Sequence, residues 1–108
     1  MNNATDATFT AKVLDRSATL PVVVDLWAAW CGPCRVLTPI LEKVVEESGG
    51  AVDLVAVDVD KNPRTAQAFG VQSIPSVFAF KDGKVVDSFI GARSERAVRK
   101  FVEKLARR

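Results

Sequence analysis

Two apolar, β-branched runs constrain this chain more than anything else in it. Pro21-Val22-Val23-Val24-Asp25-Leu26-Trp27 and Val52 to Val59 are almost continuously apolar, the pattern of strands buried on both faces. Between them, Pro33 to Ser48 carries Val36, Leu37, Ile40, Leu41, Val44 and Val45 at helical spacing. Pro39 falls inside this stretch and is expected to interrupt and kink it, and Gly49-Gly50 to end it. Strand, helix and strand in succession imply a crossover and a parallel pair, which needs helices on both faces of the sheet.

The flanking segments extend this frame. Phe9 to Arg16 reads as a short helix capped by Asp6 or Thr8, with Phe9, Val13 and Leu14 on its buried face. Asn62 reads as the cap of a helix that starts at Pro63, runs to Phe69 and closes at Gly70. Ser76 to Phe80 and Lys84 to Ile90 are strands joined through Asp82-Gly83, a strong hairpin signal. Ser94 caps a last helix whose Val98, Phe101, Val102 and Leu105 share one face. The expected fold is α/β: one mixed sheet with helices on both sides. With 108 residues the chain reads as a single domain, residues 1–108, able to bury a core without covalent staples.

Composition removes several functions. Histidine is absent, which excludes His-based triads, Cys-His pairs and imidazole metal sites. From Arg93 onward seven basic residues face two acidic ones. Those charges read as the solvated face of the last helix, complementing the negative end of its dipole, and no nucleic-acid partner is expected. The uncharged stretch from Leu26 to Cys34 is about half the length of a bilayer span, so no membrane partner is expected either. Met1 to Asp6 lacks the basic and apolar segments of a secretory signal, and the chain reads as cytoplasmic.

Both cysteines lie in Trp30-Cys31-Gly32-Pro33-Cys34, just after a buried strand and at the start of a helix. A structural disulfide closing so short a loop would contribute only about 2 kcal/mol. A zinc site needs four ligands, and this pair supplies two, so zinc would require a second chain. A redox dithiol needs a stabilised thiolate and a partner within reach. The helix amino terminus offers free N–H groups and positive potential to Cys31. Pro33 starts the helix without wasting a donor, and Cys34 lies one turn further on the same side. The redox reading is favoured.

The surrounding residues resemble the thioredoxin family. Besides Trp30-Cys31-Gly32-Pro33-Cys34, the resemblance takes in Val24-Asp25-Leu26-Trp27, Asp60 with Asn62-Pro63, Gly70-Val71, Ile74-Pro75, Phe80, Asp82-Gly83 and Gly91. It covers roughly residues 5 to 106. It implies a thioredoxin fold, with a mixed central sheet of four to five strands flanked by four helices. Two departures stand out. Only Met1 to Thr5 precede the first helix, so the family's first strand must be short or absent. Where many members carry a lysine near the buried aspartate, this chain has Ala56.

The resemblance also implies the chemistry. Cys31 is the exposed nucleophile that forms a mixed disulfide with a protein substrate; the covered Cys34 resolves it, leaving Cys31–Cys34 oxidised. A thioredoxin reductase returns the pair to the dithiol. No organic cofactor or metal is needed, because the redox-active disulfide carries both electrons. Asp25 is the buried carboxylate that takes the proton from Cys34. Pro75 is the family's cis-proline, and Trp30, Gly32, Pro33, Ile74, Pro75, Gly91 and Ala92 form an apolar contact patch, with Val59 at its rim. Gly32-Pro33 brings no charge between the cysteines, so the couple is a reductant. Asp58 and Asp60 read as solvated turn residues. The protein is expected to act as a monomeric protein-disulfide reductase. The alternative is a client-holding domain, because Leu37-Thr38-Pro39-Ile40-Leu41-Glu42 and Val86-Asp87-Ser88-Phe89-Ile90-Gly91 are similar to the thioredoxin domain of chaperedoxins.

Overall fold

A computed structural model describes residues 2–107. Five strands form one mixed sheet in the order β1-β3-β2-β4-β5. They are β1 (Asn2–Asn3), β2 (Val22–Trp27), β3 (Asp53–Asp58), β4 (Ser76–Lys81) and β5 (Lys84–Ile90). β3 runs parallel to β1 and β2, whereas β4 is antiparallel to β2 and β5. The helices are α1 (Gly32–Glu47), α2 (Pro63–Ala68) and α3 (Glu95–Ala106), preceded by a helical segment over residues 10–18. The first strand, expected to be short or absent, is the two-residue β1, held against β3.

β2 lies at the centre of the sheet, and its residues alternate between two cores. Val22, Val24 and Leu26 pack under the N-terminal segment with Val13, Val55, Val57 and Phe80. Val23 points to the opposite core, with Leu37 and Leu41 of α1 and Val98, Val102 and Leu105 of α3. Burial on both faces explains why the run shows no polar alternation. The β4–β5 hairpin turns through Asp82 and Gly83, both at positive φ (54° and 76°), as a two-residue turn matching strand twist requires. Ser94 caps α3 as expected, its Oγ accepting the Ala97 N–H at 3.2 Å.

Several local expectations are corrected. α1 is a single helix through Pro39, so no interruption occurs there. Val36 is 60% exposed and lies off the buried face, which is built from Cys34, Leu37, Leu41 and Val44. The N-terminal segment is wound as a π-helix over Thr10–Asp15 and a 3₁₀ turn over Arg16–Ala18, with no side-chain cap. Thr8 Oγ1 accepts from the Thr5 N–H instead.

Asp6 serves a helix far away in sequence. Its carboxylate accepts from the backbone N–H groups of Arg64 (3.2 Å) and Thr65 (2.8 Å) and from the Thr65 hydroxyl (2.7 Å). It therefore caps α2, a task the sequence reading assigned to Asn62. Asn62 Oδ1 accepts the Asp6 N–H and its Nδ2 donates to the Asp58 carbonyl, which locks the capping loop in place. The Thr65 hydroxyl chiefly, with the two backbone donors, holds the Asp6 carboxyl below its ordinary range. The cap's contribution is thus present above the unfolded carboxylate pKa and lost as pH falls through the native value. Asp6→Ala should lower the urea midpoint without changing the m-value. Amide exchange should accelerate first in α2; unchanged protection of Arg64 and Thr65 would contradict the capping role.

Candidate active site

β2 ends at Trp27, and a short turn hands the chain to α1. Cys31 is the residue at which α1 begins. Its backbone is extended (φ −86°, ψ 107°) and its Sγ accepts the N–H of Cys34 at 3.2 Å. The two sulfurs are joined in a disulfide. Pro33 occupies the first turn, where a missing N–H is harmless. The Cys34 N–H is one of the donors a helix start leaves unpaired, so negative charge on Cys31 Sγ meets both a hydrogen bond and the positive end of the helix dipole.

The expected contrast of an exposed Cys31 and a covered Cys34 is corrected. Both residues are buried, 3% and 2% exposed. Trp27, Val59 and Ile74 pack around them together with Ala28. What distinguishes the two is the hydrogen bond: Cys31 Sγ accepts it, and Cys34 supplies it.

Asp25 shares the sheet face of Val23, under α1, by strand alternation. It is fully buried. In register beside it stand Ala56 on β3 and Val77 on β4, both uncharged. Its Oδ2 accepts from the Thr38 hydroxyl at 2.7 Å, while Oδ1 has no partner among the described residues. Burial pushes the Asp25 carboxyl up to about 6; the Thr38 hydrogen bond opposes this and the charge of Glu42 adds to it. Ala56 beside Asp25 is uncharged, so this β3 neighbour brings no cation to offset the carboxylate. A cavity of about 460 Å³ opens between Trp27, Ala28 and α1, with Cys34, Thr38 and Pro39 in its wall.

Around the disulfide the surface is apolar. Trp30 is 70% exposed, and its indole N–H donates to Asp60 Oδ2 at 2.8 Å. Asp60 is therefore a tether for Trp30, a role that its reading as a solvated turn residue missed. Gly32 and Pro33 are exposed on the first turn of α1. The Ile74–Pro75 bond is cis. Ile74 packs against the disulfide, and the buried Pro75 accepts the Gly91 N–H on its carbonyl at 2.8 Å. That bond joins the end of β5 to the Pro75 loop, with Gly91 at a φ of 86° that favours glycine. Ala92 follows it, exposed. Ile90, 62% exposed next to Gly91, extends this apolar surface and was absent from the sequence-based set. Its strand-end position beside Gly91 was the available signal.

Among the described residues there is no cluster of three or more Cys, Asp or Glu side chains able to hold a metal, and no helix is long and apolar enough to cross a membrane. Comparison with known proteins agrees with the site. The thioredoxin family model matches residues 1–104. A thioredoxin of Rickettsia felis is 39% identical over 103 residues, 95% of this chain and 96% of that protein. Thioredoxin 1 of Synechococcus elongatus is 46% identical over 82% of this chain and 80% of its own length. A thioredoxin of Listeria monocytogenes is 44% identical over 93% of each. With a cysteine pair at disulfide distance where α1 begins, on a sheet of this order, the chain is a thiol-disulfide oxidoreductase and belongs to the thioredoxin family.

Proposed function

We propose that the chain is a general reductant of protein disulfides in which Cys31 attacks, Cys34 resolves and Asp25 accepts the Cys34 proton. The observation that carries this assignment is the hydrogen bond from the Cys34 N–H to Cys31 Sγ. It stabilises charge on the sulfur that must attack first. In the first step the Cys31 thiolate displaces one substrate sulfur as a thiolate and forms a mixed disulfide. In the second, Cys34 passes its proton to Asp25 and attacks Cys31 Sγ. The Cys31–Cys34 bond forms, the Cys31–substrate bond breaks, and the second substrate sulfur leaves with the electron pair.

Trp30, Gly32, Pro33, Ile74, Pro75, Gly91 and Ala92 would meet the substrate through shallow apolar contact. Exposed backbone near Pro75 can pair with an extended substrate segment. A thioredoxin reductase regenerates the dithiol, and no cofactor beyond the disulfide takes part. Gly32-Pro33 leaves the thiolate dependent on the helix terminus, which supports a reducing couple and hence a reducing compartment, the cytoplasm. A client-holding role is not favoured, since the relatives matched along nearly their whole length are thioredoxins.

Insulin reduction tests the proposal. With dithiothreitol as electron source, precipitation of the freed B chain should be accelerated well beyond the thiol alone. A rate equal to that of dithiothreitol alone would sink it.

A further inference from the structure

We propose that Thr38 is a positioning residue for the resolving step, holding the Asp25 carboxyl by one oxygen so that the other can take the Cys34 proton. The inference rests on the role given to Asp25 above. Thr38 lies four residues after Cys34, so the two share one face of α1. Both line the same cavity. The Thr38 hydroxyl donates to Asp25 Oδ2 at 2.7 Å, and Asp25 Oδ1 is buried with no partner among the described residues. A carboxyl held at one oxygen keeps a fixed orientation and presents the other as its basic site.

The neighbours give the hydroxyl its importance. Ala56 and Val77 flank Asp25 in the sheet and bring neither charge nor donor. Glu42, one turn beyond Thr38, acts on Asp25 in the wrong sense and favours protonation. The Thr38 hydroxyl opposes this by donating to the ionised form. Its loss should leave Asp25 protonated to higher pH, when it can accept nothing from Cys34.

The test is stopped-flow reaction of the reduced protein with Ellman's reagent across a range of pH. The first thionitrobenzoate released reports attack by Cys31, the second reports resolution by Cys34. Thr38→Val keeps the shape and removes the donor. It should slow the second phase, with the acid limb of its pH profile moved upward by roughly one unit, a tenfold change in the ionised ratio. Thr38→Ser should restore both rate and limb. Thr38→Ala repeats the test if the valine variant folds poorly. A second phase with an unmoved limb in Thr38→Val or Thr38→Ala overturns the proposal, as does failure of Thr38→Ser to restore it. Asp25→Asn separates the two levels. If it leaves the second phase intact, the base assignment itself fails; if it slows that phase while Thr38→Val does not, only the role of Thr38 fails.

Discussion

Cys34→Ser should turn this protein from a catalyst into a stoichiometric trap. The first attack needs only Cys31, whose Sγ keeps its place at the start of α1 and still accepts the N–H of residue 34, because that bond comes from the backbone. The second attack needs a sulfur at position 34, and a serine hydroxyl cannot displace a thiolate from a disulfide at useful rates. Substrate therefore stays bound to Cys31. Insulin turnover should fall to the uncatalysed rate, while one equivalent of a disulfide substrate is captured and appears as a covalent adduct in non-reducing mass spectrometry. Cys31→Ser should lose turnover as fully and capture nothing. The two variants are thus equal in steady state and opposite in trapping. Adducts on Cys34 in Cys31→Ser would reverse the assignment, and comparable trapping by both would remove the asymmetry altogether.

The structural difference between the two cysteines was partly legible in the sequence. A cysteine just before a helix and another inside its first turn place free N–H donors beside the first sulfur, because helix starts leave donors free whatever the surrounding fold. Exposure was not legible. It depends on Trp27, Val59 and Ile74, which come from three distant segments and meet only in the folded chain. The same distinction runs through the fold. β2 and β3 were readable because burial on both faces leaves a run of apolar residues, and the hairpin because Asp82-Gly83 must adopt positive φ. The cap of α2 was not, since Asp6 and Thr65 are far apart in sequence and Asn62 is locally the better candidate. Asp60 is the exposed turn residue expected, but its bond to Trp30 was not legible, the two being thirty residues apart. Thr38 stood between: four residues after Cys34 on a buried face, its polarity was visible, but its acceptor on β2 was not.

The second large effect concerns stability, and it has a definite sign. Burial raises the Asp25 carboxyl to about 6 in the fold, against 3.8 for an unperturbed aspartate. As pH rises through that window, the unfolded chain ionises first and gains free energy that the folded chain does not. Stability is fully present below the unfolded value, falls across the window, and stays reduced above the folded value, by on the order of 3 kcal/mol. Asp25→Asn removes this loss, because the amide never ionises. Its oxygen can still accept from the Thr38 hydroxyl, while its NH₂ sits where Oδ1 lacks a partner in the parent, so part of the gain, about 1–3 kcal/mol, is returned. The difference between conditions escapes this offset, since a neutral carboxyl and an amide face similar surroundings. In the oxidised protein, urea unfolding should therefore show Asp25→Asn more stable relative to the parent at neutral pH than in acid below the unfolded pKa. Turnover should move the other way, because the variant has no group to take the Cys34 proton. A relative stability that does not change with pH would mean that Asp25 ionises in the fold as it does in the open chain, and burial under α1 would then carry no consequence for its chemistry.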